Sequence, residues 1–217
     1  MAPRRMHLDD FDLDDFDLDD FDGDQRVMID AIISERITSA SWRGALLWFV
    51  ALAAFSYWAF NTNSPWTEAL AAGDGVLPEM LPGFPPVEPA RTLETLGNGK
   101  RAYLLWQFAD IPFATLNTLL LWSLIGLGLK GAGLAASPLR YAMAAPLAYG
   151  LGEVVENSFL TAFALDAAAP YGWSALIQQA ATTVKHTAAF GAGALALVCL
   201  GLAGVFALLR RMKKNAG

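Results

Sequence analysis

Four long apolar runs alternate with polar connections along the chain. The runs cover residues 44–60, 103–129, 140–165 and 187–209. Each has at least the ~17 residues that a helix needs to cross the hydrocarbon core of a bilayer. Trp42 and Trp58 lie near the ends of the first run, where interfacial aromatic residues are common. The pattern predicts an all-α integral membrane protein built as a four-helix bundle.

The segments between these runs have their own patterns. In residues 26–42, Val27, Ile33 and Ile37 fall close to one side of a helix, which predicts a short amphipathic helix at the membrane interface. Residues 61–100 contain six prolines and no sustained period, so we expect an irregular loop outside the bilayer. Residues 175–186 predict a polar extension leading into the fourth span.

Basic residues next to the short connections predict the orientation of the bundle. Arg43, Lys130, Arg140 and the basic segment 210–217 favour a cytoplasmic location for both termini. Lys100 and Arg101 oppose this orientation, but they adjoin a long, net acidic loop. The expected location is a bacterial cytoplasmic (inner) membrane.

The third run carries two carboxyl groups and an amide, those of Glu153, Glu156 and Asn157, at positions i, i+3 and i+4. This spacing places them on one face of a helix, within about one turn. Such groups are costly in lipid, so this face must contact protein or water.

Depth estimates place other polar residues in the same layer. At ~1.5 Å per residue, Glu153 and Glu156 lie about 20 and 24 Å from the cytoplasmic end of their span. Asp110 lies about 10 Å inside the outer end of the second span, and Lys185 and His186 directly precede the fourth. We therefore expect one polar site in the outer half of the bundle. Its predicted acid–base residues are Glu153, Glu156 and Asp110, and its predicted ligand-binding or network residues are Asn157, Asn117, Gln107, Lys185 and His186.

Within this site we expect Glu153 or Glu156 to pair with Lys185, and Asp110 to pair with His186. A structural or interaction role requires carboxyl groups that are paired and closed. A membrane-embedded enzyme or ligand-binding protein acting on a lipid-like substrate, or a proton-coupled transporter, requires an open cavity that reaches them. The sequence favours the first alternative and leaves the others open.

Other chemistry has little support in the sequence. Glu153-x-x-Glu156 differs from the E-x-x-H motif of di-iron bundles, and His186 has no second histidine in the bundle with which to bind haem. A metal ion held by these carboxylates and His186 is a less favoured alternative. No phosphate-binding loop, dinucleotide fingerprint or basic stripe is found, so we predict no cofactor, no metal and no nucleic-acid partner.

The composition agrees with a membrane protein, since 55% of residues are hydrophobic, 17% are charged and the mean hydropathy is +0.37. The net charge of −6 comes from the N-terminal segment, because residues 9–24 hold ten of the twenty-one acidic residues. Within it, LDDFD occurs three times in succession in residues 8–22. Residues 1–25 therefore predict a disordered acidic tail, either solvated or docked on a protein partner.

Small residues predict where helices approach one another. Cys199 is the single cysteine and is expected to be a small packing residue. Four glycines in the last run predict close helix packing, with a homo-oligomer face as the alternative. They are Gly191, Gly193, Gly201 and Gly204. Membrane lipids are the expected partners of the remaining surface.

Asp110-Ile-Pro-Phe in the second span and Glu153-Val-Val-Glu156-Asn157 in the third resemble motifs of a loose group of small four-span bacterial membrane proteins. These proteins often have an aspartate early in one span and a D-x-x-E-N run in the next, where this chain has glutamate first. The resemblance covers residues 44–209. It implies the four-span topology and no specific activity.

Overall fold

The computed structural model describes residues 23–61, 63–80, 92–165 and 172–215, with side chains described from Val27 onward. In these residues the secondary structure is entirely helical, which confirms the all-α prediction. The helices are α1 (Gly23–Ser39), α2 (Trp42–Ala59), α3 (Pro65–Ala72), α4 (Lys100–Ala132), α5 (Ala144–Leu165) and α6 (Trp173–Asn215). Short 3-10 turns cover Pro78–Met80, Gly97–Gly99 and Pro138–Met143. The predicted acidic tail lies outside the described residues, except for residues 23–25.

Two of these helices, α4 and α6, are long and apolar enough to cross a membrane. A third candidate arises if α1 and α2, which meet at an angle of 90°, are counted as one broken span. Helix α5 does not reach the same hydropathy, because Glu153, Glu156 and Asn157 lie in its middle. The structure thus indicates a membrane protein, while the number of four spans stays a prediction.

The predicted polar extension and fourth span form one continuous helix. Helix α6 has 43 residues, from Trp173 to Asn215, and contains no proline. It also takes in most of the predicted basic tail. Helix α4 is likewise continuous and passes through Pro112 without a break in its helical assignment. Both helices are longer than the apolar runs that predicted them, because their polar ends pack on the bundle or extend beyond it.

Close helix packing depends on glycines other than those predicted. A Cβ atom added to Gly128 of α4 would lie 2.4 Å from Cβ of Cys199 on α6, so these helices touch at their backbones. Cys199 is buried at this contact, as expected of a small packing residue. The prediction that the four glycines of the last run pack closely against another helix of this chain is wrong, and the alternative of a homo-oligomer face stays a prediction. A Cβ atom on any of them would meet nothing within 4 Å in the described part of the chain. They are Gly191, Gly193, Gly201 and Gly204.

One end of the bundle is closed by α1. Ile33 and Ile37 are buried against α4, and Nζ of Lys130 donates to the carbonyl oxygen of Thr38 at 2.9 Å near the end of α1. Asp30 of α1 pairs with Arg140 at 2.9 Å. These contacts hold α1 across the end of the bundle, at a right angle to α2.

The opposite end is closed by the segment predicted to be an irregular loop. Pro65 starts α3, and Ser64 and Thr67 form a capping box around its first turn. Leu77 and Leu96 are buried against Tyr103 and Leu160 of the bundle. Helix α3 has only eight residues, too few to produce a periodicity that the sequence would reveal.

Candidate polar site between α4, α5 and α6

Lys185 of α6 lies at the centre of the polar site. Its Nζ donates to Oε2 of Glu153 at 3.1 Å and also contacts Oε2 of Glu156, both on α5. The side chains of Lys185 and Glu153 are 7% exposed, and that of Glu156 is fully buried. The predicted pairing of Lys185 was with either glutamate, and the structure brings it to both.

Glu156 has a second partner on α6, the hydroxyl group of Thr182. Thr182 in turn accepts a hydrogen bond from Nε2 of Gln178 at 2.8 Å. Gln178, Thr182 and Lys185 are spaced four and three residues apart, so they share one face of α6. Gln178 and Thr182 were not predicted as site residues, although their spacing from Lys185 could have revealed them.

Asp110 of α4 pairs with Asn157 and not with His186. Nδ2 of Asn157 donates to Oδ2 of Asp110 at 3.2 Å, and both side chains are buried. His186 is exposed, because one residue along a helix turns the side chain by about 100° from Lys185, which faces inward. The predicted Asp110–His186 contact is therefore wrong.

Glu79 adds a fourth buried carboxyl group that the sequence did not predict. It lies in the 3-10 turn Pro78–Met80, and its two oxygens accept from the Tyr103 hydroxyl at 3.0 Å and from Nε2 of Gln107 at 3.4 Å. Burial raises the pKa of Glu79, and its backbone hydrogen bond, the Lys185 charge and Tyr103 oppose this effect in part. No motif marks this residue, since its partners are 24 and 28 positions away.

The remaining predicted network residues divide between two places. Gln107 is buried and contacts Glu79, so it links the site to the loop rather than to α5. Asn117 is half-buried and forms a hydrogen bond with the side chain of Tyr149 on α5. Both residues thus tie α4 to a neighbouring segment, at different depths.

The charges of the site do not balance in the part of the chain that the structure describes. Four buried carboxyl groups, those of Glu79, Asp110, Glu153 and Glu156, face the single buried ammonium group of Lys185. Two buried amide oxygens in these residues have no hydrogen-bond donor, Oε1 of Gln107 and Oδ1 of Asn157. Unpaired buried charge is strongly unfavourable. The carboxyl groups in excess must therefore bind protons or accept hydrogen bonds from further donors.

Among the residues described, no three His, Cys, Asp or Glu side chains are grouped so that they could hold a metal ion. The acidic groups come from one turn and two helices, and Glu153 and Glu156 share Lys185, whereas Glu79 and Asp110 have other partners. The arrangement can therefore fix helix positions and hold protons.

Comparison with known proteins finds no matching family model, no similar characterised protein and no similar solved structure. The polar site and the surface around it are therefore the features from which a function can be inferred.

Proposed function

We propose that this chain is a four-span protein of the bacterial cytoplasmic membrane, with both termini cytoplasmic, and that it serves as a structural or interaction component. One observation carries the proposal: in the described part of the chain, every buried carboxyl group has a partner on another element. Glu79 bonds to α4, Asp110 bonds to α5, and Glu153 and Glu156 bond to Lys185 on α6. Such cross-links determine how the helices pack.

The distribution of polar and apolar residues between the two faces of α5 supports the proposal that this helix spans the membrane. The three polar residues that lower its hydropathy are buried against α4 and α6. Its exposed large side chains are apolar, including Leu151, which is 65% exposed, and Val154, which is 46% exposed. A surface of this kind suits lipid, whereas in water it would form an unusually large apolar patch.

The location of the bases supports the proposed orientation. Lys130 and Arg140 flank the connection between α4 and α5, and Nη2 of Arg210 on α6 donates to the carbonyl oxygen of Gly131 at 2.7 Å. Three segments therefore bring bases to the end of the bundle where α1 also lies. The positive-inside rule assigns this end to the cytoplasm. The resemblance to small four-span bacterial proteins is part of the same proposal.

Substitution of single carboxyl groups tests the structural role. Asp110→Leu leaves the Asn157 amide without its acceptor. Glu156→Leu removes one of the two carboxyl groups that face the buried ammonium group of Lys185. Both variants should therefore unfold at lower temperature in detergent. Glu94→Leu is the control, because Glu94 is exposed in the segment that closes the end of the bundle opposite to α1. The lipids and proteins that co-purify should stay the same. Unchanged stability together with the loss of one bound molecule would contradict the proposal and indicate a ligand site.

Proton-coupled transport is a second candidate function, favoured by the excess of carboxyl groups over ammonium groups. A cluster that holds protons at neutral pH could exchange them across the membrane. The test is proton flux into vesicles containing the purified protein, monitored with an internal pH dye. Flux that is abolished by Asp110→Asn and retained by Glu94→Gln would favour transport. Flux no greater than that of empty vesicles would exclude it.

A further inference from the structure

Three neighbouring cavities meet at Trp122 of α4. The first, of about 130 Å³, lies beneath α1 and is lined by Ile29 and Ile33. The second, of about 140 Å³, lies at the corner between α1 and α2. The third, of about 260 Å³, runs between α4 and α5 past Val154. Trp122 lines all three, so the cavities lie side by side around one indole ring and together form one surface feature.

The three cavities differ in chemistry. The second is lined by Arg36 and by three serines, Ser39, Ser41 and Ser123. The hydroxyl groups of Ser39 and Ser123 donate to backbone carbonyl oxygens of their own helices, which leaves Arg36 and Ser41 as the donors available to a ligand. The first and third are lined almost entirely by apolar side chains. A polar pocket is thus flanked by two apolar grooves, which matches an amphiphile with one polar head and two hydrocarbon chains.

A hydrogen bond and a ring contact fix Trp122 and Arg36 in the polar pocket. Nε1 of Trp122 donates to the carbonyl oxygen of Met143 at 2.6 Å, which fixes the indole ring, and the Arg36 guanidinium lies 5.6 Å from the ring centroid. Oγ of Ser41 accepts from the Gly44 amide at 3.1 Å, so its own proton remains available to a ligand.

Arg36 also lacks a carboxylate partner among the residues described. The ion pairs found there involve Arg140 with Asp30, and Lys185 with its two glutamates. Arg36 lies at the end of the bundle that carries Lys130, Arg140 and Arg210, whose charges attract anions to the same face. A negatively charged head group would therefore meet an unpaired cation in a basic environment.

We propose that this feature binds an anionic phospholipid of the cytoplasmic leaflet. The phosphate group contacts the Arg36 guanidinium and the Ser41 hydroxyl, one acyl chain follows the groove beneath α1, and the other follows the groove between α4 and α5. The proposal depends on the membrane arrangement proposed above. Both grooves open where the bundle exposes apolar side chains such as Leu147 and Leu151, so a lipid reaches them from the bilayer.

The test compares phosphatidylglycerol with phosphatidylcholine in mixed micelles that contain the purified full chain. Phosphatidylglycerol should raise the unfolding temperature more than phosphatidylcholine does, and native mass spectrometry should show it retained. Arg36→Gln should weaken its binding roughly tenfold, as expected for the loss of one charge-assisted hydrogen bond. Arg43→Gln is the matched control, because Arg43 is exposed nearby and lines none of the three cavities.

Several outcomes would overturn the proposal. These are equal shifts with the two lipids, unchanged binding by Arg36→Gln, the same shift with inorganic phosphate alone, and retention of a protein in place of the lipid. Trp122→Leu gives a second check, because it removes the wall common to the cavities and should reduce the retention of phosphatidylglycerol. A chain that stays soluble and monomeric without detergent would instead refute the membrane arrangement itself.

Discussion

Lys185 and Glu153 form an ion pair of 3.1 Å between α5 and α6, although they lie 32 residues apart in the chain. Gly152 makes this approach possible, since a Cβ atom there would lie 2.9 Å from Cβ of Lys185. Removing one member of a buried pair costs far more than the pair contributes compared with an apolar replacement, because the remaining charge is left unpaired. We therefore expect the pair to specify how α5 and α6 pack against each other.

Gly128→Ala should destabilise the contact between α4 and α6. The added methyl group would lie 2.4 Å from Cβ and 2.5 Å from the carbonyl carbon of Cys199, so one helix must move. Overpacking of this kind typically costs about 1–3 kcal/mol. The control is Gly193→Ala, also within a helix, where the new methyl group meets nothing within 4 Å. The free energy of unfolding in micelles should fall for the first variant and not for the second, and equal values would contradict the close contact.

Glu79 should make the stability of the protein depend on pH. Burial raises its pKa above the ordinary value of 4.5, so the folded chain keeps a proton that the unfolded chain has lost. Stability is therefore greatest below about pH 4.5 for this group, and it falls as the pH rises toward the folded-state pKa. Glu79→Gln should lose less stability than the parent protein between about pH 4 and pH 7.

The control for this pH dependence is Glu68→Gln, at an exposed position in α3. The free energy of unfolding, measured by denaturation at each pH, should change with pH in the same way for this control and for the parent protein. If the free energy of unfolding of Glu79→Gln also changed with pH as that of the parent does, burial of Glu79 would not affect its titration.

Asn157→Leu should destabilise the protein by leaving the Asp110 carboxyl group without its donor. The expected loss is about 1–3 kcal/mol, the usual cost of a buried polar group without a partner. Combining it with Asp110→Leu should recover part of the loss, because both polar groups are then replaced. Thermal unfolding of the single and double variants measures this coupling. Additive losses would show that the contact of 3.2 Å does not join the two residues energetically.

The sequence predicted the helices better than it predicted their contacts. Hydrophobic runs mark a helix whatever it packs against, so α4 and α6 could be located without knowing the fold. The rise per residue along each helix predicted that Lys185 lies at nearly the same depth in the membrane as Glu153 and Glu156. Excluding His186 from the site also requires knowing which face of α6 is buried. The spacing of the inward-facing residues of α6 indicates this face.

Glu79 could not be found by the same reasoning. It follows a proline in a short turn, and its partners Tyr103 and Gln107 lie beyond a long connection. Neither periodicity nor spacing relates residues across such a connection. The close contact at Gly128 could not be predicted for a similar reason. The sequence does not show where α4 and α6 cross, and this crossing point places Gly128 against Cys199.

The stability of Lys185→Met, compared with the triple variant Lys185→Met, Glu153→Gln and Glu156→Gln, tests the structural role of the polar site most directly. The single variant leaves two buried carboxyl groups without their cation and should lose about 3–5 kcal/mol, whereas the triple variant should recover most of that loss. Lys213→Met, at an exposed position on α6, should match the parent protein. A single variant as stable as the parent, or a triple variant less stable than the single one, would contradict the account.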